Sequence, residues 1–236
     1  MFYYGYDITY IILVLPFVFL SIWASHNVNS TYKKYASQYS RRGLTAAQAA
    51  QRVLTGNGIT NVSIQHISGN LTDHYDPRSN VIRLSDSVYD STSTAAIGVA
   101  CHEAGHALQY AKGYFPIKIR AAIIPITNIG SRLAMPLILL GILFSFSGHF
   151  SDFMVNAGIA CFALSLLFQL ITLPVEFDAS HRAMVAIDES GLLTEEEQTG
   201  ARRTLRAAAL TYVAATAVSF MQLLRLILLF GRKNDD

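Results

Sequence analysis

Four long apolar stretches constrain the fold of this chain more than any other feature of its sequence. They run from Ile8 to Ala24, from Ala121 to Ser147, from Phe153 to Leu173 and from Ala207 to Phe230. Each approaches or exceeds the roughly 17 to 20 residues that a helix needs to cross the bilayer's hydrocarbon core. Hydrophobic residues make up 52% of the chain and charged residues only 14%. The sequence therefore predicts a membrane protein, mainly α-helical, with a four-helix transmembrane bundle.

Charge and cysteine placement narrow the class of protein further. The formal net charge is only +2, and the basic residues are spread over several loops rather than one face, so nucleic acid is not an expected partner. Cys101 and Cys161 fall in apolar helical runs, where neither is placed for a disulfide framework. Residues Met1 to Asp7 lack the Lys or Arg that opens a cleaved secretory signal. We interpret the first stretch as a retained anchor.

The distribution of Lys and Arg predicts the orientation in the membrane. Residues 25–120 hold ten basic residues and residues 174–206 hold four, whereas the loop from Gly148 to Asp152 holds none. By the positive-inside rule, the two large segments face the cytoplasm and the amino terminus lies outside. The tail from Gly231 to Asp236 then falls outside although its two basic residues favour the inside, so its side is left open.

The first large segment has the pattern of a small folded domain. Thr45, followed three residues later by Gln48, predicts a capping box at the start of a helix. Two β-prone runs follow, Val62 to Ile67 and Asn80 to Ser85, with turn residues between them. This alternation predicts a compact α+β domain.

A helix predicted from Thr94 to Lys112 carries the chemistry. His102 and His106 are four residues apart, so both imidazoles project from one face and can hold one tetrahedral Zn²⁺. Glu103 lies one position round from the first ligand, where it cannot easily bind the metal but can act on a water beside it. Zinc brings the pKa of such a water to about 7, and a carboxylate can take its proton. The alternative is a pair of hydrogen-bonded histidines on an ordinary core helix.

A catalytic zinc needs a third protein ligand. The richest candidate cluster consists of Glu176, Asp178 and His181. It follows the third apolar stretch and Pro174, which is expected to begin a new helix. A membrane hairpin lies between the two histidines and this cluster, so both return to the same membrane face. Glu176 is the preferred ligand and His181 the reserve, while Asp178 is first interpreted as an ion-pair partner of Arg182.

The chain resembles the YugP-like family of bacterial membrane zinc metallopeptidases. The resemblance is carried by Cys101-His102-Glu103-Ala104-Gly105-His106-Ala107 and by Val175-Glu176-Phe177-Asp178-Ala179-Ser180. It extends over nearly the whole chain, including residues 73–78 and 81–85. A more distant similarity links the chain to the HtpX-type membrane proteases.

This resemblance implies a zincin-like site with one catalytic Zn²⁺ in the bacterial cytoplasmic membrane. In the HtpX-type group, the Glu that matches Glu176 is the third ligand, and an Asp four residues later supports the site. Here that position is Ser180, so the supporting carboxylate is missing or is supplied by Asp178. The resemblance also implies that one strand is an edge that pairs with an extended substrate. The residues of that strand are Val81, Ile82, Arg83 and Leu84.

We therefore expect a transmembrane bundle that carries a small cytoplasmic α+β zincin-like domain. The expected divisions are an anchor (1–25), a zincin subdomain with the HEAGH helix (26–120), a transmembrane hairpin (121–173), a cytoplasmic helical segment with the third ligand (174–206) and a last transmembrane helix with its tail (207–236). The expected activity is zinc-dependent cleavage of peptides and of unfolded or membrane proteins at the cytoplasmic face of the bilayer. His74 and Arg182 are candidate donors to the oxyanion.

Two other classes of function compete with a peptidase. A metal-coupled or proton-coupled transporter would place His, Asp or Glu inside its spans, and the four stretches contain none. A catalytically silent membrane scaffold that uses zinc only for structure is harder to exclude, because a sequence does not reveal an open coordination position. The natural substrate and the oligomeric state are not predicted.

Overall fold

The computed structural model describes residues 8–231. The predictions for residues 1–7 and for the tail after Gly231 lie outside the described residues. The helices are a π-helical turn Tyr10–Val14, α1 Leu15–Ala36, α2 Ala46–Gly56, α3 Thr94–Ala111, α4 Phe115–Leu143, a 3₁₀ turn Ser145–Ser147, α5 His149–Glu189 and α6 Glu195–Phe230. The strands are β1 Ser63–Ile67, β2 His74–Asp76 and β3 Val81–Ser85.

Four of the described helical segments are long and apolar enough to cross a membrane. They are Tyr10–Ala36, Phe115–Leu143, His149–Glu189 and Glu195–Phe230. Large apolar side chains such as Phe19, Trp23 and Phe220 stay more than half exposed on these helices, as expected for surfaces that face lipid rather than water. The prediction of a mainly helical membrane protein with four spanning helices is confirmed.

The chain divides into two compact units. One, the apolar unit, comprises the described parts of residues 1–24, 119–173 and 212–236. The other, the sheet unit, comprises residues 25–118 and 174–211. The sheet unit therefore takes in both polar clusters that the sequence singled out.

Within the apolar unit, α4 and α5 pack through glycines. A Cβ added at Gly158 would meet the carbonyl oxygen of Ala134, and one added at Gly141 would meet Val155 and the backbone of Ser151. The Ser151 hydroxyl donates to the Gly141 carbonyl at 2.7 Å. Small residues let helix backbones approach closely, which is how helices associate where no hydrophobic driving force acts between them.

Within the sheet unit, α2 and α3 pack over a three-stranded sheet. Thr45 and Gln48 form the predicted capping box at the start of α2. The buried residues of α2 recur at the spacing of a single helical face: Ala46, Ala49, Ala50, Val53 and Leu54. Ser93 caps α3 by accepting a hydrogen bond from the Ala96 amide. These helices share one apolar core with the sheet.

The sheet has the order β1-β3-β2, and this order corrects one prediction. β3 pairs in parallel with β1 and antiparallel with β2, so it is the central strand. The prediction that Val81, Ile82, Arg83 and Leu84 form a substrate-binding edge is therefore wrong, because ladders on both sides already bond the backbone of this strand. The short strand β2, His74–Asp76, was not predicted. It forms one edge of the sheet, and β1 forms the other.

A second correction concerns Pro174. The structure continues α5 without interruption from His149 to Glu189 through this proline, so the prediction that a new helix begins there is wrong. A proline inside a helix removes one backbone donor but does not end every helix, particularly in membrane proteins, where neighbouring groups satisfy the freed carbonyl.

Candidate metal centre

Helix α3 buries the predicted motif in the middle of the sheet unit. Glu103 and His106 are 8% and 9% exposed, and His102 is only slightly more open. The rings of His102 and His106 lie edge to face, with centroids 4.8 Å apart. The spacing of four residues therefore puts both imidazoles on one face of α3, as the sequence predicts.

The carboxyl-terminal part of α5, residues 174–189, lies directly against this face. The closest approach is at Gly105, where an added Cβ would overlap the carbonyl oxygen of Ala179. Only glycine fits a helix position that is this close to another backbone. Gly105 therefore lets the two helices come near enough to share a ligand set.

Three ligand atoms converge where the two helices meet. Nε2 of His102 lies 3.3 Å from Oε2 of Glu176, and Nε2 of His106 lies 3.6 Å from the same oxygen. The described residues contain one cluster of three or more potential metal ligands, namely these three side chains, with their ligand atoms within 4.8 Å of one another. The structure thus brings together residues that are separated by about 70 positions in the sequence.

Each imidazole also has a partner for its other ring nitrogen. Nδ1 of His102 lies 3.1 Å from the Ser180 hydroxyl, and Nδ1 of His106 lies 3.0 Å from Oε1 of Gln109. Metal-binding histidines in proteins nearly always use their second nitrogen in this way, because the contact fixes the orientation of the ring. The position that the resemblance expected to hold an Asp is thus occupied by Ser180, which itself contacts a ligand.

The charges of this cluster are strongly coupled. Burial raises the pKa of Glu176, but hydrogen bonding to His102 and His106 outweighs burial and holds that pKa well below its ordinary value. For His106, burial lowers the pKa, but hydrogen bonding to Glu176 and the charge of Glu103 outweigh it, and the net pKa is raised. The cluster is therefore built to keep a carboxylate charged in a buried place, and a bound cation would have the same effect.

Glu103 is not one of the three clustered ligands, and its carboxylate contacts β2. Its Oε2 accepts a hydrogen bond from the backbone amide of Tyr75 at 2.9 Å. The Tyr75 ring packs edge to face on Tyr110, with centroids 5.7 Å apart, and its hydroxyl donates to the Asn80 side chain at 3.0 Å. These contacts hold the edge strand beside the carboxylate that the sequence predicts as general base.

The remaining predicted residues take several different positions. Asp178 pairs with Arg182 through a contact of 2.6 Å, as the sequence analysis favoured, and it also accepts from the Gln109 amide. Arg182 lies over the Tyr114 ring. His181 is exposed in an open groove between α5 and α6 and is not part of the three-residue cluster. His74 is exposed and contacts the Thr72 carbonyl and Arg83.

Cys101 behaves as a small buried hydrophobe. It is fully buried, and burial raises the pKa of its thiol to about 12. A thiol in this state is a poor nucleophile and a poor ligand. Its position next to His102 in the sequence therefore adds nothing to the metal site.

Sequence reasoning missed two groups of the site. Gln109 follows His106 by three residues and so lies on the same face of α3, which was an available signal that was not used. The Tyr75 amide belongs to the backbone of a strand that was not predicted, so no side-chain pattern marks it. Both groups contact residues of the motif directly.

The chemistry of this donor set fits zinc. Two imidazole nitrogens and one carboxylate oxygen are a common set of three protein ligands for a catalytic zinc ion. Each histidine has a hydrogen-bonding partner at Nδ1, and the Glu176 carboxylate is kept charged. Glu103, adjacent to one ligand, is directed to a separate partner.

Comparison with known proteins agrees with this chemistry. Residues 10–231 match the model of the family described as "Putative neutral zinc metallopeptidase". A relative in Bacillus subtilis (strain 168), described as "Putative membrane protease YugP", is 42% identical over 227 residues, which cover 96% of this chain and 99% of the relative. No solved structure shows a significant match. With a family model and a relative that both cover almost its full length, the chain belongs to this zinc metallopeptidase family of membrane proteins.

Proposed function

We propose that the protein is a zinc-dependent endopeptidase that cleaves peptide bonds at the cytoplasmic face of the membrane. The single observation that carries the proposal is the convergence of the His102, His106 and Glu176 ligand atoms within 4.8 Å. Glu103 follows His102 directly on α3. The family assignment supports the general class of reaction. The residue roles and the side of the membrane are our own inference.

His102, His106 and Glu176 are the residues that would hold the ion. When bound, zinc would lower the pKa of a water to about 7 and polarise the carbonyl of the scissile bond. Glu103 then acts as general base by taking a proton from the attacking water, and it passes a proton to the departing amine. The three ligands come from two rigid helices, which limits how far they can move during the reaction.

An extended substrate would lie along β2 rather than β3. β2 is an edge of the sheet, and the amide of Tyr75 points out of the ladder towards Glu103. A carbonyl of a peptide that pairs with this edge would accept the hydrogen bond from the Tyr75 amide in place of Glu103. The Glu103 carboxylate is then free for proton transfer. Tyr75→Pro, which lacks the donor, should therefore raise KM well above that of Tyr75→Phe. Equal KM values would place the substrate elsewhere.

Charge and chain topology support the proposed cytoplasmic location. The two chain segments of the sheet unit, 25–118 and 174–211, hold most of the basic residues, and basic loops stay on the cytoplasmic side. Two apolar helical stretches of the apolar unit lie between the two polar clusters of the site: the part of α4 from Ile119 onward and the part of α5 that ends at Leu173. An even number of crossings leaves both clusters on one side. Labelling an introduced cysteine, Ser37→Cys, with an impermeant reagent from either side of sealed vesicles tests the side.

Glu103→Gln tests the mechanism. The purified protein in detergent is given an unfolded casein as substrate, and zinc content is measured on the same sample. We expect Glu103→Gln to keep its zinc and to lose about 10²- to 10⁴-fold in cleavage rate, because the base is removed and the ligands are intact. Retained cleavage would reject the role of Glu103. A wild-type protein that holds zinc but cleaves nothing would favour the silent scaffold.

A further inference from the structure

Gln109 is a buried amide with three polar neighbours. It is completely buried. Its Nε2 donates to the Val175 carbonyl at 2.7 Å and to Oδ2 of Asp178 at 2.8 Å, while its Oε1 lies 3.0 Å from Nδ1 of His106. The side chain therefore joins the proposed ligand His106 on α3 to two acceptors on α5.

The chemistry of these neighbours fixes which way the amide points. A backbone carbonyl only accepts hydrogen bonds, and so does an ionised carboxylate. Val175 and Asp178 therefore both require the NH₂ end of Gln109, which leaves the oxygen end facing His106. Since an amide oxygen only accepts, the hydrogen in that contact must sit on Nδ1 of His106.

This hydrogen determines what His106 presents to the rest of the site. An imidazole that binds a metal ion is neutral, and with a hydrogen on Nδ1 its lone pair is then on Nε2, the atom that faces Glu176. We propose that Gln109 is a positioning residue that holds His106 in the tautomer that binds a metal through Nε2. The Val175 carbonyl and Asp178 hold the Gln109 amide in the orientation that this requires. The inference rests on the proposed zinc site and deepens it.

The support of His102 lacks this property. Its Nδ1 contacts the Ser180 hydroxyl, which can either donate or accept. That contact orients the ring without selecting a tautomer. Of the two histidines, only His106 has a tautomer that is determined by its hydrogen-bonding partners, because each of those partners can play one role only.

Gln109→Met tests the inference, because Met has a similar length and lacks both hydrogen-bonding ends. The purified full-length protein is titrated with Zn²⁺ against a competing chelator. We expect zinc affinity to fall by about 10- to 100-fold, the usual effect of losing such a partner. Gln65→Met, at an exposed position on β1, is the matched control and should bind zinc like wild type.

Two further readouts separate positioning from a general loss of structure. The visible absorption spectrum of the Co²⁺-substituted protein reports ligand geometry, and we expect it to change in Gln109→Met and not in Gln65→Met. Thermal unfolding of the metal-free proteins reports packing alone. A metal-free variant that unfolds like wild type while binding zinc more weakly would support a positioning role.

A second pair of variants decides the question if Gln109→Met does not fold. Glu at position 109 still accepts from His106, but it turns an acceptor towards Val175 and Asp178. Gln109→Glu should therefore bind zinc more weakly than wild type. Adding Asp178→Asn supplies a donor opposite the new carboxylate and should recover at least part of the lost affinity.

The outcomes distinguish this inference from the proposed function. Wild-type zinc affinity and an unchanged Co²⁺ spectrum in Gln109→Met would overturn the role of Gln109 and leave the zinc peptidase standing. So would a double variant, Gln109→Glu with Asp178→Asn, that is no better than Gln109→Glu alone. A wild-type protein that takes up no zinc would instead reject the proposed function, and the inference would fall with it.

Discussion

Helix α3 and the carboxyl-terminal part of α5 build the candidate site in different ways. α3 supplies His102, Glu103 and His106 from five consecutive positions, so one helical turn fixes their relative placement. α5 supplies Glu176, whose placement depends on how closely the two helices pack. Local helix geometry therefore fixes three of the four site residues relative to one another, and tertiary packing fixes the fourth.

The two helices also differ in how their polar groups are supported. Gln109 on α3 finds its acceptors on α5, across the contact between helices. Asp178 on α5 has an additional partner, Arg182, on its own helix. The cross-helix contacts are therefore expected to matter for the metal site, whereas the contact within α5 should matter mainly for the helix itself.

The largest effect is expected from Gly105→Ala, which attacks the contact between the helices. The added methyl group would overlap the Ala179 carbonyl, so α3 and α5 must separate. Overpacking of this kind costs about 1 to 3 kcal/mol of unfolding free energy. We expect a lower unfolding midpoint in detergent and a loss of zinc, since the ligands on the two helices no longer meet.

Gly56→Ala is the control for that experiment. Gly56 is the last residue of α2, and an added Cβ there would meet nothing closer than the Ser190 hydroxyl at 4.0 Å. Its unfolding midpoint should stay the same or rise slightly. If Gly105→Ala unfolds and binds zinc like Gly56→Ala, the close approach of α3 and α5 does not hold the site together.

An intermediate effect is expected from Ser180→Ala, which removes what α5 gives to His102. The ring of His102 loses its partner at Nδ1. Because this ring is partly exposed to solvent, a water molecule can replace the Ser180 hydroxyl. We expect zinc affinity to fall by about tenfold, the lower end of the range for such partners. Ser190→Ala, near the exposed end of α5, is the control. If Ser180→Ala loses as much zinc affinity as Gln109→Met, the proposed difference between the two histidines is wrong.

The smallest effect is expected from Arg182→Gln, which breaks a contact within α5 alone. The ion pair with Asp178 spans four residues of one helix, and the guanidinium also lies over Tyr114. Together such contacts contribute about 0.5 to 1 kcal/mol. Zinc affinity should hardly change, because Asp178 keeps its contact with Gln109. A large loss of zinc would show that Arg182 belongs to the metal site after all.

The sequence allowed prediction where short-range rules decide the structure. The capping box of α2, the limits of α3 and the four spanning helices follow from patterns within one element. The HEAGH motif belongs to the same class, because two residues four apart on a helix always share a face. These predictions were confirmed by the elements of the structure.

Prediction failed where long-range contacts decide. β2 is only three residues long and adjoins Pro77, so no alternating pattern marks it. The prediction that β3 is an edge comes from the family resemblance, which does not show that β2 pairs with β3. Pro174 has the pattern of a helix start, because the sequence does not show whether a helix can continue through a proline at this point. The position of Gln109 on the ligand face of α3 is visible in the sequence, whereas its contact with a backbone carbonyl 66 residues away is not.

Zinc content beside a variant of Glu176 tests the central claim most directly. Wild type, Glu176→Ala and His181→Ala are purified without added chelator, and metal per chain is measured by mass spectrometry. We predict about one zinc per chain for wild type and for His181→Ala, and far less for Glu176→Ala, because a catalytic zinc takes three protein ligands and two histidines alone hold it weakly. Full zinc in Glu176→Ala, or its loss in His181→Ala, would contradict the account.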